Sequence, residues 1–370
     1  MIPNEVTIDL GALKHNFFEI KRLAGSHPGI IAVVKSDAYG HGMLPVARTL
    51  ESAGVDCLGV FEVQEGIELR RAGIKVPILL MMGITSDEVS AVVEHGLTPA
   101  LFQMDIAEEL SRVSTQQDKV SPVHIKVDSG MTRLGVWCED LPNFLEKLAP
   151  LKGIKAQGIF SHLAVADTPD HSFTELQIER FQDAVEACRR LMGFQGLVHI
   201  ANSGAVLGKK GLDLDMARPG ILLYGSSPAE GWPAAASFKP VMTFKSRVIQ
   251  IRTVPPNTSI SYGCTYATKE KSTIATIPVG YDDGYSRLLS NNSEMLIRGQ
   301  RVPVVGRVCM NLTMVDVTGV EGVVVGDEVV LLGLQGKERI TAEEIAARIG
   351  TISYEVYCTI GKSNRRVYID

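Results

Sequence analysis

The sequence predicts an α/β fold in which a (β/α)8 barrel of the TIM type is followed by a mostly β C-terminal domain. Three observations support this. Up to about residue 230, eight short apolar runs alternate with longer stretches of helical period, which is typical of a parallel sheet wrapped by helices. After Pro240, β-rich segments are separated by Gly, Asn and Pro turns. The 370 residues, 45% of them hydrophobic, exceed one average domain.

The apolar runs give the barrel strands in order. Eight strands, each followed by a helical stretch, favour a closed barrel over an open doubly wound sheet. The predicted strands are residues 30–34, 57–60, 77–81, 98–101, 122–128, 154–160, 197–201 and 221–224. Among the helices, one opens with a capping box of Thr85 and Glu88 and ends at Gly96. Another covers residues 174–191, where apolar side chains recur at helical spacing.

A Pro-, Ala- and Ser-rich segment, residues 226–240, is the predicted linker between the domains. We assign residues 1–235 to the barrel and 236–370 to the β-rich domain, and expect the first ten residues to pair with the latter. The β-rich domain has one clear predicted helix, which begins with a capping box of Thr341 and Glu344 and ends at Gly350.

Composition argues against several classes of partner. The net charge is only −5, and no long basic or acidic block is present, so we expect neither nucleic acid nor a membrane surface as partner. The N-terminus carries acidic residues and no continuous apolar segment, so a cytoplasmic location is expected. Six cysteines without metal-ligand spacing indicate thiols in a reducing compartment and no metal site. A small molecule is the expected ligand.

The stretch AVVKSDAYGHG places Lys35 at the end of the first apolar run. A lone lysine in this position most often extends its charge into solvent. Alternatively, a partly desolvated lysine has a lowered pKa, and its neutral amine can form a Schiff base with a carbonyl. The glycine-rich turn that follows, with Asp37, Tyr39 and His41, favours a ligand site because glycine lets the backbone approach a ligand closely.

Polar residues also follow the other predicted strands, where the site of a barrel is built. They are Arg133 after the fifth, His162 after the sixth, Asn202 and Ser203 after the seventh, and Arg218, Gly220 and Ile221 near the eighth. Taken singly, each has an ordinary structural role open to it, such as a core histidine, a surface charge or a helix cap. Their collection at one end of the barrel predicts a single site.

The chemistry of this set suggests a cofactor. A lysine able to form a Schiff base, two arginines, and backbone N–H groups near Ser203 and Gly220 that could cradle a phosphate together indicate pyridoxal phosphate. The arginines favour a substrate that carries a carboxylate.

The sequence resembles the pyridoxal-phosphate-dependent, barrel-type alanine racemase family over nearly its whole length. The motifs that carry the resemblance are AVVKSDAYGHG, KVDSGMTRLGV, GIFSHLAVAD, HIANSGA, MARPGILLYG, ISYGCTY, IPVGYDDGYSR, GRVCMNLTMVD and TISYEVYC, in the family's order. The resemblance implies racemisation of L- and D-alanine, supplying D-alanine for peptidoglycan. It also implies a homodimer with shared active sites, in which Tyr262 and Met310 enter the partner's barrel.

The resemblance further implies a role for each matched residue. Lys35 would hold the cofactor and act as base on one face of the substrate, with Tyr262 as the base on the other. His162 would belong to the network that assists Tyr262. Arg218 would face the pyridine nitrogen, and because a guanidinium hardly gives up a proton the ring would be a weak electron sink.

The remaining matched residues bind substrate and cofactor or narrow the site. Arg133 would lie near the substrate carboxylate and the cofactor's phenolic oxygen, and the Met310 backbone amide would meet that carboxylate. Lys126 matches a lysine that is often carbamylated, against the alternative of an ordinary strand lysine. The matched phosphate-binding residues are Tyr39, Ser203, Gly220, Ile221 and Tyr354, with Asn202 beside them. Tyr281 and Tyr354 would narrow the substrate entrance.

Two residues depart from the family pattern: Ser36 stands where alanine is common, and Asn311 where aspartate is frequent. Neither is a proposed base, but the lost carboxylate leaves the substrate range open. A serine or broad-specificity amino-acid racemase is therefore an alternative. A non-catalytic cofactor-binding protein is a further one, against which the β domain with Tyr262 argues.

Overall fold

A computed structural model of the protein describes residues 4–25, 28–229 and 232–370. The described strands, in chain order, are β1 Glu5–Asp9, β2 Gly29–Val33, β3 Cys57–Val60, β4 Ile78–Leu80, β5 Thr98–Leu101, β6 Ser121–Asp128, β7 Val136–Trp137, β8 Ile154–Phe160, β9 Leu197–His199, β10 Met216–Ala217, β11 Met242–Arg247, β12 Gln250–Val254, β13 Ser259–Ile260, β14 Tyr266–Ala267, β15 Ser272–Ile277, β16 Glu294–Ile297, β17 Gln300–Pro303, β18 Thr313–Asp316, β19 Glu328–Gln335, β20 Glu338–Ile340 and β21 Arg366–Ile369.

The helical segments are α1 Leu10–Ala24, α2 Lys35–Tyr39, α3 Met43–Ser52, α4 Val63–Arg71, α5 Val89–His95, α6 Met104–Gln116, α7 Leu141–Leu148, α8 Ser172–Met192, α9 Ser203–Gly208, α10 Ala342–Ile349 and α11 Ser353–Ser363. Short 3₁₀ helices cover Ser86–Glu88, Ile221–Tyr224, Pro233–Ser237, Tyr262–Cys264, Tyr281–Asp283 and Arg287–Leu289. Within the described residues, no helix is both long and apolar enough to cross a membrane.

The chain divides into two compact units. The barrel unit comprises Leu13–Ala38 and Met43–Lys239, and the β unit comprises Met1–Ala12, Tyr39–Gly42 and Pro240–Asp370. The chain therefore passes between the units at more than one place. Within the predicted linker, residues 230 and 231 lie outside the described residues.

The barrel unit confirms the predicted closed parallel barrel. Strand pairing runs β2–β3–β4–β5–β6–β8–β9–β10 and returns from β10 to β2, with every pair parallel. Strands buried on both faces are mostly apolar, and Ile30, Ile31, Leu58, Leu79 and Leu80 are fully buried. The capping box of the helix after β4 forms as predicted.

The eighth strand is an exception to the prediction. Residues 221–224 form a 3₁₀ helix, and the strand that closes the barrel is the two-residue β10 just before it. The prediction of a strand at residues 221–224 was wrong because all four residues are fully buried, and a buried turn of helix has the same apolar composition as a buried strand. Tyr224 fixes this turn against the barrel by donating its hydroxyl to the Val33 carbonyl at 2.9 Å.

The β unit contains a seven-stranded sheet in the order β17–β16–β19–β11–β1–β21, with β20 paired to β19. Strand β1 pairs antiparallel with β11 and parallel with β21. The strands β12, β15 and β18 form a second sheet, and β13 and β14 a two-stranded one. These β-rich segments confirm the mostly β C-terminal domain.

The β unit has a second clear helix, α11, beside the predicted α10, which Thr341 caps and Gly350 ends. The prediction of one clear helix was therefore wrong. Helix α11 includes β-branched and aromatic residues, which favour strands. It is helical because Val356, Tyr357 and Ile360, at helical spacing, are buried together.

Candidate active site

Lys35 lies directly beyond the carboxyl end of β2, at the position that the sequence predicted. Its side chain is half-buried, and its ammonium nitrogen lies 4.4 Å from the centre of the Phe61 ring. The charge therefore packs over an aromatic face, which lowers the cost of removing it from water.

The backbone after Lys35 forms a left-handed turn. Ser36, Asp37, Ala38 and Tyr39 all have φ between 53° and 55°, a conformation that costs an L-residue about 1–2 kcal/mol. The Glu65 carboxylate stabilises the turn, because the Ser36 N–H donates to it at 2.5 Å. The other oxygen of Glu65 accepts the Phe61 N–H at 2.8 Å. One carboxylate thus holds both the turn and the ring beneath Lys35.

The Arg218 side chain is buried and held by four contacts. It lies just beyond β10 and is 4% exposed. Its guanidinium donates to the Ser161 carbonyl at 2.6 Å and to the Ile200 carbonyl at 3.2 Å. It also contacts ring nitrogens of His199 at 2.7 Å and His162 at 3.3 Å. Burial lowers the pKa of Arg218 to about 9.

The contact with His199 continues into the barrel interior. Because a guanidinium only donates, Nδ1 of His199 must accept, and its proton is then on Nε2. That nitrogen lies 2.8 Å from Nδ1 of His124. The His199 ring stacks on Phe160 with the two rings inclined by only 7°. Burial, together with the charge of Arg218, lowers the pKa of both histidines, that of His124 to about 4.

His162 is surrounded by positive charge. Its pKa is well below the usual range because it is buried, and because Arg218, Lys126, Arg133 and Lys35 all lie close enough to disfavour a proton on the ring. The ring is therefore neutral, and four basic side chains lie near it. The structure brings these predicted residues together in one place, as the sequence analysis expected.

Lys126 and Arg133 are positioned by strand β6 and the loop after it. Burial and the charges of Arg218 and Arg133 lower the pKa of Lys126 to about 7, and its nitrogen lies 4.2 Å from the Phe160 ring centre. The Asp128 carboxylate shapes the loop by accepting the N–H groups of Gly130, Thr132 and Arg133 at 2.9–3.0 Å. Asp128 therefore fixes the backbone that carries Arg133.

The predicted phosphate cradle lies beyond β9 and β10. Asn202 caps α9 by accepting the Ala205 N–H at 3.0 Å, so this side chain serves the helix. The buried Ser203 hydroxyl accepts the Gly220 N–H at 2.9 Å. Ile221 is fully buried in the turn that follows.

Two other predicted phosphate-binding residues belong to the β unit. The Tyr39 ring lies 5.7 Å from that of Tyr354, and burial raises the pKa of the Tyr39 hydroxyl well above its usual range. Tyr39 is thus a neutral hydrogen-bonding group. It is placed by the left-handed turn and by Gly40, whose Cα hydrogen faces the Tyr357 carbonyl so closely that a side chain there would collide with it.

The β unit also carries the predicted base and substrate residues. Tyr262 lies in the 3₁₀ turn after β13 and is 71% exposed, while Met310 is 54% and Tyr281 42% exposed. The segments that carry Met310 and Tyr281 are joined by backbone bonds, because the Tyr281 N–H donates to the Cys309 carbonyl at 3.1 Å and the Asp282 N–H to the Met310 carbonyl at 3.0 Å. Asn311, one of the departures from the family pattern, donates to the Asp282 carboxylate at 3.3 Å.

Sequence reasoning did not assign a site role to Glu65, Asp128, His199, His124 or Phe160. A signal existed for the two histidines, which interrupt the apolar runs PVHIKVD and LVHIA. Glu65 lies 30 positions after Lys35 on α4, so its contact with the turn needed the fold.

A closed barrel with a lysine, a neutral histidine and two arginines at the carboxyl ends of its strands, joined to a β unit, defines a two-domain barrel enzyme. The chain matches the family models described as "Alanine racemase, N-terminal domain" over residues 8–228 and "Alanine racemase, C-terminal domain" over residues 241–368. The chain belongs to the alanine racemase family.

Relatives and solved structures match along the whole chain. An alanine racemase of Syntrophobacter fumaroxidans is 47% identical over 363 residues, which cover 98% of this chain and 96% of that protein. The alanine racemase structure from Clostridium difficile 630 is 37% identical with a TM-score of 0.93, covering 100% and 96% of the two chains. A Bartonella henselae alanine racemase with covalently bound pyridoxal phosphate is 28% identical with a TM-score of 0.91, covering all of both chains.

Proposed function

We propose that this protein interconverts L- and D-alanine with pyridoxal phosphate as cofactor, and that it supplies D-alanine for peptidoglycan. The observation that carries the proposal is a set of basic side chains at one end of the barrel: Lys126, Arg133 and His162 line one small cavity, and the Arg218 guanidinium lies 3.3 Å from a ring nitrogen of His162. Two nearby carboxylates are engaged by backbone N–H groups: that of Asp128 in the loop after β6 and that of Glu65 at the turn after Lys35. The excess positive charge suits a ligand with a phosphate and a phenolic oxygen, and a substrate with a carboxylate.

The residues present fit this cofactor. Lys35 would hold it covalently, Arg218 would donate to its ring nitrogen, and the hydroxyl of Ser203 would donate to its phosphate, with Gly220 and Ile221 supplying backbone beside it. When bound, the cofactor makes the substrate α-proton acidic by drawing electrons from the α-carbon. Four hydrogen-bonding contacts hold the Arg218 guanidinium in place.

Inversion of the α-carbon needs proton transfer on both of its faces. Lys35 would remove or supply the proton on one face and Tyr262 on the other. His162 would assist Tyr262 as a neutral hydrogen-bonding group. Arg133 and the Met310 backbone amide would hold the substrate carboxylate, so that the α-carbon lies between the two bases. Tyr281 and Tyr354 would limit the substrate to a small side chain.

We also propose that Lys126 is carbamylated. Carbon dioxide reacts with the neutral amine, and with a pKa of about 7 roughly three quarters of Lys126 is neutral at pH 7.5, against about one part in a thousand for an ordinary lysine. The product is an anion that offsets the charges of Arg133 and Arg218. Protein loaded with ¹³C-bicarbonate should show one carbamate carbon by NMR, present in Lys155→Ala, a surface control, and absent from Lys126→Met.

The active site is proposed to be shared between two chains of a head-to-tail homodimer. Tyr262, Met310 and Tyr281 are large, exposed side chains of the β unit, and such surfaces favour association. Beside Tyr262 a cavity of about 400 Å³ opens within the β unit. A two-fold dimer would contain two equivalent sites, each with Lys35 from one protomer and Tyr262 from its partner.

Mixing inactive variants tests the shared site. Lys35→Ala chains exchanged with Tyr262→Phe chains would form heterodimers with one site that holds both defects and one that holds neither, so activity should return. If Tyr262 served its own barrel, every site would keep a defect and the mixture would remain inactive.

The reaction itself is tested with L-alanine in heavy water. Protein supplied with pyridoxal phosphate should absorb near the edge of the visible range, exchange the α-proton for deuterium and produce equal amounts of both enantiomers. Lys35→Ala should lose the absorbance and the exchange, while Lys155→Ala keeps both. Cofactor binding without exchange would indicate a non-catalytic carrier. Faster turnover of serine than of alanine in a panel of amino acids would indicate a different or broader racemase.

A further inference from the structure

The loop that carries Tyr262 has an unusual backbone. Ser261, the preceding residue, has φ 65° and ψ −176°, a region of the map that is occupied almost only by glycine. Two further residues of this loop, Gly263 and Cys264, have φ of 69° and 47°. Three of the four residues from 261 to 264 therefore have positive φ, and Tyr262 is the exception.

The loop is clamped to the segment that follows β17. The Ser261 hydroxyl donates to the Arg307 carbonyl at 2.6 Å and lies 3.5 Å from the sulfur of Cys309. On the other side of Tyr262, a Cβ added to Gly263 would lie 3.1 Å from the guanidinium carbon of Arg307. Residues on both sides of the tyrosine thus contact Arg307.

A second connection fixes the far end of the loop. The Asn291 amide donates to the Thr265 hydroxyl at 3.1 Å, while its oxygen accepts the Gly306 N–H at 2.6 Å. The Tyr262 side chain, in contrast, is 71% exposed. The backbone is held firmly and the ring projects outward, so the direction of the ring is set by the conformation of the loop.

We propose that Ser261 is a positioning residue for Tyr262: its unfavourable backbone conformation, held by the hydroxyl bond to Arg307, aims the phenol at the α-carbon of the substrate. This rests on the proposed function, in which Tyr262 is one of two bases. A residue in a glycine region that is not glycine is kept there by its surroundings, and such residues concentrate at functional sites. A glycine at position 261 would adopt this backbone without strain, but it would lack the hydroxyl that bonds to the Arg307 carbonyl.

The test compares Ser261→Ala and Ser261→Gly with the native enzyme, each loaded with pyridoxal phosphate. Loss of one hydrogen bond should lower kcat about tenfold in both variants, with KM for alanine unchanged because the carboxylate contacts remain. Ser261→Gly should have the higher Tm of the two, since glycine adopts this backbone without strain, yet it should not recover kcat.

The primary isotope effect of α-deuterated alanine distinguishes positioning from a general structural defect. If Tyr262 is misaligned, proton transfer by Tyr262 becomes more rate-limiting. The isotope effect should therefore rise in the direction in which Tyr262 removes the α-proton and fall in the direction in which Lys35 removes it. A smaller fraction of folded enzyme would lower kcat and leave both effects unchanged. Ser246→Ala, which removes a buried hydroxyl bond to Asn4 in the seven-stranded sheet, is the matched control and should leave both effects unchanged.

Two outcomes overturn the inference: kcat within twofold of the native value in both Ser261 variants, or isotope effects that do not change in opposite directions. A native enzyme that fails to racemise alanine would instead refute the proposed function, so the two failures are distinguishable.

Discussion

Acid should destabilise the barrel unit through three histidines that it keeps neutral. His124, His162 and His199 all have a folded-state pKa below the ordinary value of 6.5, because of burial and the charge of Arg218. In the unfolded chain these rings protonate near pH 6.5. Since the unfolded state then binds more protons, stability is highest above pH 6.5 and falls as the pH falls towards the folded-state values.

The size of the effect follows from the pKa difference. At pH 5.5 an unfolded histidine binds about 0.9 proton, whereas His124, with a folded-state pKa of about 4, binds almost none. His124 therefore lowers the free energy of unfolding by about 1 kcal/mol between pH 8 and pH 5.5. The pKa values of His162 and His199 shift in the same direction, so the three rings together remove more of the 5–15 kcal/mol of a typical protein than His124 alone.

Urea unfolding of the apoprotein, followed by circular dichroism at pH 8 and pH 5.5, measures this loss. The variant His124→Gln keeps an oxygen that can accept from His199 but cannot titrate. Relative to its own value at pH 8, its free energy of unfolding at pH 5.5 should fall by about 1 kcal/mol less than that of the native protein. The value at pH 8 is the internal control for any packing defect. An equal loss in both proteins would refute the assignment of His124 as a buried neutral ring.

Three further predictions follow from the site and the packing. Replacing Arg218 with Glu should favour protonation of the cofactor's ring nitrogen, so the ratio of transamination to racemisation should rise, and an unchanged ratio would contradict the proposed contact. Glu65→Gln should weaken the left-handed turn after Lys35, because it removes a charged hydrogen bond that contributes about 1.5–3 kcal/mol to stability. Both Tm and the affinity for pyridoxal phosphate should fall, and an unaltered Tm and cofactor titration would contradict this expectation. Gly361→Ala would put a methyl group 1.9 Å from the Gly40 carbonyl oxygen, so Tm should fall strongly. A native Tm would show that helix α11 can shift to make room for the methyl group.

The fold could be predicted from the sequence where burial alone determined the spacing of apolar residues. The first seven barrel strands and helix α8 appear near their predicted positions because strands buried on both faces and amphipathic helices leave distinct periods in the sequence. Closure of the barrel by β10 could not be predicted, because a strand of two residues is too short to show a hydrophobic period. Helix α11 was hidden because tertiary packing at helical spacing overrode its β-forming residues.

The candidate site was predictable as a set of residues at strand ends, but its supporting contacts were not. Position after an apolar run identified Lys35, His162 and Arg218, since a barrel gathers such residues at one end. The carboxylate of Glu65 reaches the turn after Lys35 only through folding of α4. The neutrality of His162 likewise depends on its burial and on four basic side chains that are distant in sequence.

The place of β1 in the seven-stranded sheet has a consequence for synthesis of the protein. Val6 pairs with Arg366, 360 positions later, and at 5–20 residues per second a ribosome takes roughly 20–70 s to make that interval. The other neighbour of β1 begins at Met242, after the barrel unit has been translated. The nascent chain must therefore carry an unpaired strand while the barrel is being made. The strand has a charged residue at each end, Glu5 and Asp9, and charges of this kind disfavour pairing with other chains.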